Sequence, residues 1–192
     1  MKLHLIRHAQ TNANQAGQLS CTHDEELNQV GILQSHALKQ YLSKLNFDEI
    51  WCSPLLRARQ TIQPYEETFD VAGWIEPLLS EGHLNLNSDY EVDLNTSNEL
   101  REDESTASFR GRCIRLLHKI KKLENERIIV AITHGHYIRE FLNLSLGIQN
   151  YTRFPVGNVS DTLIEFSENP VIHYINKEWI EQDSAHQSTT AL

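Results

Sequence analysis

Residues 127–147 read RIIVAITHGHYIREFLNLSLG, and this stretch decides the fold class. Ile128 to Ile132 form a continuous apolar, largely β-branched run, the pattern of a central parallel strand buried on both faces. Thr133-His134-Gly135 turns, and Ile138 to Leu146 carry helical spacing that stops at Gly147, a residue suited to ending a helix. A buried strand feeding directly into a helix is a βα unit, so the chain is read as an α/β protein, a three-layer α/β/α sandwich around a mostly parallel central sheet. Ligands of such sheets bind beyond the carboxyl ends of the strands. His134 therefore stands where chemistry is usually done.

Two other junctions have the same form. Lys2 to Ile6 alternate and then run apolar, predicting a short buried strand with Arg7-His8 at its mouth and Thr11 and Asn14 just after. Arg7 offers a planar fork of donors matched to phosphate or carboxylate oxygens, and His8 a nitrogen nucleophile or proton shuttle. The third junction lies in FDEIWCSPLLRARQT, residues 47–61. Ile50 to Cys52 are predicted to form a strand stopped by Ser53-Pro54, with the proline in the first turn of a helix. Arg57 then emerges about one turn into that helix, whose free amides and dipole favour an anion at the same sheet edge as His8. Arg59 should point away, into solvent.

Between and after these junctions the pattern is less specific. Asn28 is predicted to cap a helix from Gln29 to Leu45, with Val30, Leu33, Ala37, Tyr41 and Leu45 as its buried stripe. A strand near Trp74 to Glu76 precedes an irregular excursion over the site, with Glu81 at its start. Residues 102–125 restore helical spacing, with Ser105 as cap, Phe109, Cys113, Leu116, Leu117, Ile120 and Leu123 facing inward, and Arg and Lys outward. Thr162 to Phe166 and Val171 to Ile175 read as a hairpin at a sheet edge. The chain is expected to form one domain over residues 1–180, followed by a polar tail at 181–192.

Composition narrows the function. A formal charge of −9 over 192 residues, with no basic run, argues against a nucleic-acid partner, and an anionic substrate would need a local basic pocket. Nothing approaches 18 consecutive apolar residues and the apolar start is too short for a signal peptide, so no membrane partner and a cytoplasmic location are expected. Cys21, Cys52 and Cys113 lack any CxxC pair and are expected to be reduced, packed thiols. The 10 His residues and the HGH at His134 to His136 raise a metal hydrolase. No His/Asp/Glu set at ligand spacing completes one, and no metal or other cofactor is expected.

Taken together, LIRHAQTNAN (5–14), DEELNQVGILQSHAL (24–38), SPLLRARQT (53–61), LLSEG (78–82), ESTASFRGR (104–112), ITHGHYIR (132–139) and GNVSDTLIEF (157–166) fall in the order found in one family. The chain resembles the histidine phosphatase superfamily, which includes cofactor-dependent phosphoglycerate mutases and small phosphomonoesterases. That resemblance implies a phosphoglycerate mutase-like fold. It implies His8 as the nucleophile that becomes phosphorylated and Arg7 and Arg57 as clamps on the phosphoryl oxygens. It further implies His134 beside the transferred group, Asn14 as a phosphate contact and Glu81 as proton donor. A small phosphorylated substrate and inorganic phosphate as product follow, with oligomeric state left open. Phosphatase action is the first reading; a mutase-type phosphoryl transfer and a non-catalytic phosphoryl-binding module are the alternatives. Two departures stand out: Ala9 replaces the family's usual glycine, which matters if that position needs positive φ or close phosphate approach, and the residues after Glu81 do not follow the family's continuation, which leaves the substrate unnamed.

Overall fold

The computed structural model describes residues 1–18, 25–82, 90–97, 104–123, 126–148 and 152–179. Six strands among them form one sheet in the order β3-β2-β4-β1-β5-β6. Here β1 is Lys2–Arg7, β2 Glu49–Cys52, β3 Trp74–Ile75, β4 Ile128–Thr133, β5 Asp161–Phe166 and β6 Pro170–Lys177. The first four pair parallel, while β5 is antiparallel to both β1 and β6, so β5 alone runs against the rest. The helices are α1 (Asn12–Gln15), α2 (Gln29–Leu42), α3 (Leu56–Phe69), α4 (Thr106–Ile120) and α5 (Gly135–Ser145).

Both faces of the sheet are covered, which explains the unbroken apolar run in β4. Ile129 and Ala131 join Leu3 and Leu5 in a core completed by Phe109, Leu116 and Phe141 of α4 and α5. Val130 and Ile132 join Ile6 on the other face, under Leu38 and Leu42 of α2 and Ala58 and Ile62 of α3. Each fully buried aliphatic side chain contributes about 1.5–3 kcal/mol. The expected three-layer sandwich is what these two cores build.

Local expectations on four helices are corrected. Helix α2 ends at Leu42 rather than Leu45, and its buried face is Gly31, Ser35, Leu38 and Leu42, whereas Val30 and Leu33 are 47% and 71% exposed. The cause is Gly31: a Cβ there would lie 2.1 Å from the Gln10 carbonyl oxygen, so the helix docks at its one side-chain-free position and the stripe four, seven and eleven residues on turns inward. On α4, the arginines are not all in solvent, since Arg110 and Arg112 are buried against Glu140 and Glu104. Helix α5 begins at Gly135, directly after His134, and Pro54 stands before the Leu55 cap of α3 rather than inside its first turn.

Other expectations hold. Asn28 and Ser105 cap α2 and α4 through their side chains, Arg59 is exposed, and Gly147 adopts the left-handed conformation after α5. Cys52 and Cys113 are buried free thiols, and burial pushes both well above the ordinary thiol range. Cys21, His83 and the tail at 181–192 lie outside the described residues. None of the described helices is long and apolar enough to cross a membrane.

Candidate active site

Register brings the three junctions together. In the parallel pairing Arg7 lies opposite Thr133 and Cys52 opposite Ile132, so the residues beyond these strand ends, His8, His134 and Ser53, form a row across β1, β4 and β2. Main-chain bonds continue the ladder past the strands, with the His8 amide donating to the Thr133 carbonyl (2.8 Å) and the Ser53 amide to the Ile132 carbonyl (3.0 Å). The His8 and His134 rings consequently lie 5.1 Å apart, centroid to centroid. Their placement is a property of the sheet.

The tautomer of His8 follows from its partner. Its Nδ1 lies 2.7 Å from the Ala9 carbonyl oxygen, which can only accept, so Nδ1 carries the proton and Nε2 keeps its lone pair. Burial, then the guanidiniums of Arg57 and Arg7, hold the imidazole well below the ordinary histidine range, outweighing the opposing Ala9 bond. His8 is thus a neutral nitrogen base among fixed cations. Burial likewise keeps His134 neutral, helped by Arg57, His8 and Arg7, while its Nε2 meets the Ser53 hydroxyl at 2.7 Å. Its buried Nδ1 has no partner among the described residues.

The cations come from three elements. Arg7, at the end of β1, donates to the Val156 carbonyl (2.9 Å), and its Nε is buried without a hydrogen-bond partner among the described residues. Burial, together with Arg139 and Arg57 and against the pull of Glu81, lowers its pKa to about 10, so it stays charged at neutral pH. Arg57 lies fully buried in the first turn of α3. Thr61, one turn on, donates to the Arg57 carbonyl (2.6 Å) and accepts from the Ala9 amide (2.9 Å), tying that helix to the loop that follows His8. At Gly135 an added Cβ would lie 3.3 Å from both Arg7 Nε and Arg139 Nη1, a tight contact that these side chains would relieve by a small shift.

Asn14 and Glu81 complete the predicted set. Asn14 caps α1 reciprocally with Thr11, and its Oδ1 also accepts from Asn158 Nδ2 (3.0 Å), which leaves its amide NH2 for the cleft. The Glu81 carboxyl sits over the N-terminus of α5. It accepts from the amides of Tyr137 (3.0 Å) and His136 (3.2 Å) and from that of Gly82 (3.3 Å). A cleft of about 190 Å³ is lined by Arg7, His8, Asn14 and Glu81, with Gly17, Gln18, His136, Arg139 and Arg153 around them. Arg57 and His134 lie buried beside His8. A larger groove of about 510 Å³ at the β3 edge, between Phe47, Tyr65 and Trp74, contains none of the predicted residues.

All six predicted residues meet at this one sheet edge. Ala9 presents no obstacle: it lies outside the positive-φ region, and its side chain packs fully buried against the core under α2 and α3. Sequence reasoning missed Ser53, Asn158, Arg139 and Arg153. Asn158 also donates to the His8 carbonyl (2.9 Å), and its neighbour Val159 holds φ +51°, an uncommon backbone conformation for a β-branched residue. GNVSDTLIEF stands out as a motif, but no spacing rule connects Asn158 to His8, 150 positions earlier. Among the described residues, no group of three or more His, Cys, Asp or Glu side chains could hold a metal ion.

Comparison with known proteins gives a consistent result. The model for the histidine phosphatase superfamily (branch 1) matches residues 3–177. Phosphoserine phosphatase 1 of Hydrogenobacter thermophilus is 26% identical over 185 residues, covering 88% of each chain. The adenosylcobalamin/alpha-ribazole phosphatase of Salmonella typhimurium is 41% identical over 81 residues, a stretch covering 42% of this chain and 40% of that protein. Among solved structures, the phosphoserine phosphatase of Entamoeba histolytica in complex with 3-phosphoglyceric acid superposes with a TM-score of 0.74 at 27% identity, covering 92% of this chain and 97% of that one.

Proposed function

Because this chain belongs to the histidine phosphatase superfamily, we propose that it hydrolyses a small phosphomonoester, without a metal, through a phosphohistidine formed on His8. The observation that carries this reading is the neutral His8 imidazole, with its proton on Nδ1 against the Ala9 carbonyl and its Nε2 lone pair unused, between two guanidiniums. Nε2 attacks phosphorus as the ester P–O bond breaks, and Glu81 gives its proton to the departing oxygen. Water then attacks the phosphohistidine, Glu81 takes a proton from it, and the P–N bond breaks to release inorganic phosphate and neutral His8. Arg7, Arg57, Asn14 and His134 stabilise the equatorial phosphoryl oxygens throughout, since this transition state asks chiefly for positioning and positive charge.

The outer cleft supports a narrower substrate class. Arg139 and Arg153 line it beyond the nucleophile, and Arg139 is oriented by donation from Nε to the Phe154 carbonyl (2.9 Å). A phosphomonoester carrying a second anionic group, such as a carboxylate, would neutralise charge that a neutral alcohol leaves exposed. The similar Entamoeba histolytica enzyme was solved with 3-phosphoglyceric acid, a compound of that class.

Hydrolysis of an aryl phosphate in EDTA by the parent and by His8→Ala tests the chemistry. Chelator-resistant turnover lost in the variant supports it; turnover unchanged in the variant, or abolished by EDTA, overturns it. Comparing phosphoserine with phosphoethanolamine in the parent and in Arg153→Ala tests the substrate class, with the carboxylate preference expected to fall in the variant.

A further inference from the structure

One buried arginine, unused by the mechanism above, grips the turn that carries the proton donor. Arg112 of α4 is completely buried, and all five N–H donors of its guanidinium are engaged. Two form a fork on the Glu104 carboxylate, Nε to Oε1 at 2.8 Å and Nη2 to Oε2 at 2.6 Å. The other three go to main-chain carbonyls, those of Leu78 (3.2 Å), Ser80 (2.6 Å) and Glu81 itself (3.0 Å). The intervening carbonyl, Leu79, accepts from the Thr133 hydroxyl at 2.7 Å. Four successive carbonyls, from Leu78 to Glu81, are therefore each held by a buried side chain. Among the described residues, no ladder or helix bond holds these oxygens.

The arrangement is more than packing requires. Placing a guanidinium in the interior is costly before pairing, and the Glu104 fork offsets that without any contact to the turn. The donors spent on the turn fix a segment whose other end is the catalytic carboxyl. Gly82, just after it, presses so closely on the Phe109 ring that a Cβ would lie 2.3 Å from a ring carbon. Thr133 immediately precedes His134, so the same clamp references Glu81 to the strand that places the second histidine. Rotating the turn would lift the Glu81 carboxyl from the amides of His136 and Tyr137.

We propose that Arg112, assisted by Thr133, is a positioning residue for general-acid catalysis, holding Glu81 at the leaving-group oxygen through the carbonyls of the Leu78–Glu81 turn. The inference rests on Glu81 being the proton donor. Acid catalysis matters most for poor leaving groups, which cannot depart as anions, and little for strongly acidic phenols. A displaced acid therefore narrows the range of esters cleaved, whereas general damage to the fold slows all of them alike.

The experiment is a series of kcat/KM measurements on phosphate esters running from 2,4-dinitrophenyl through p-nitrophenyl and phenyl to an alkyl phosphate. It uses the parent, Glu81→Gln, Arg112→Lys and Thr133→Val. Lysine keeps the charge but cannot form the five-donor fork, while Val keeps the β-branched shape and removes only the hydroxyl, and circular dichroism checks that each variant is folded. Glu81→Gln is expected to show a steep leaving-group dependence. Arg112→Lys should approach it, losing about 30-fold or more on the alkyl ester but less than about threefold on the dinitrophenyl ester, with Thr133→Val intermediate. Uniform loss across the series in both clamp variants, or a parent-like slope in both, overturns the proposal while Glu81→Gln remains steep. A parent-like slope in Glu81→Gln removes the acid role of Glu81 and the present inference with it.

Discussion

Strand β1 and the residue just beyond its end carry two buried histidines, His4 and His8, and their surroundings are opposite. His4 donates from Nδ1 to Asp161 Oδ2 at 2.8 Å, and the same oxygen accepts from the hydroxyls of Tyr41 (2.8 Å) and Tyr174 (2.7 Å). Burial and the Asp161 charge push both phenols up, so they remain donors. His8 has arginines where His4 has a carboxylate, and its nearest fixed acceptor is a neutral carbonyl. One imidazole closes a polar network; the other is left with an unused lone pair in a positive field. Burial of a titratable group thus says little about function until the sign of its neighbours is known.

That contrast can be broken most severely at His8, the proposed nucleophile. His8→Ala should reduce phosphatase kcat/KM by at least about 10⁴-fold, as measured on an aryl phosphate, since it removes the nitrogen proposed to take the phosphoryl group. Removing a cation comes next: Arg57→Ala should cost about 10²–10³-fold, and Arg57→Lys should recover only part of this. Asn158→Ala, which frees the His8 carbonyl and Asn14 Oδ1 together, should cost about tenfold, mostly in kcat, through looser positioning.

Two predictions sharpen the comparison through stability. Asp161→Ala should leave kcat/KM nearly unchanged below the melting transition. It removes the acceptor of three donors, and should lower unfolding free energy by about 3–5 kcal/mol in denaturant titrations. The second is pH-linked. His8 is depressed in the folded state, so the native protein binds fewer protons than the unfolded chain once pH falls below about 6.5, and acid destabilises it. The stability of His8→Asn relative to the parent should therefore rise by about 1.4 kcal/mol per pH unit below that point, and be constant above it.

Much of this organisation was legible in the sequence because it is local. Strand ends, the Asn28 and Ser105 caps and the Arg-His, Ser-Pro and Thr-His-Gly junctions are set by neighbours within a few residues, and parallel pairing then brings the ends together. What escaped depends on distant contacts. The face of α2 is decided by the approach of Gly31 to Gln10, not by the apolar stripe of its own sequence. Arg112 looked like a surface charge because the carbonyls that bury it lie 31 to 34 positions earlier. Asn158 was unassigned for the same reason, its partners His8 and Asn14 being at the other end of the chain.

The central claim is that the phosphoryl group passes through His8. Quenching the parent during turnover of a ³²P-labelled phosphomonoester, and mapping the label by mass spectrometry under alkaline conditions, addresses it directly. An acid-labile, alkali-stable phosphoryl group on His8, absent from His8→Ala and discharged when water completes the cycle, is the expected result. A label on another residue, or full turnover with a persistently unmodified His8 under single-turnover quenching, would contradict the account.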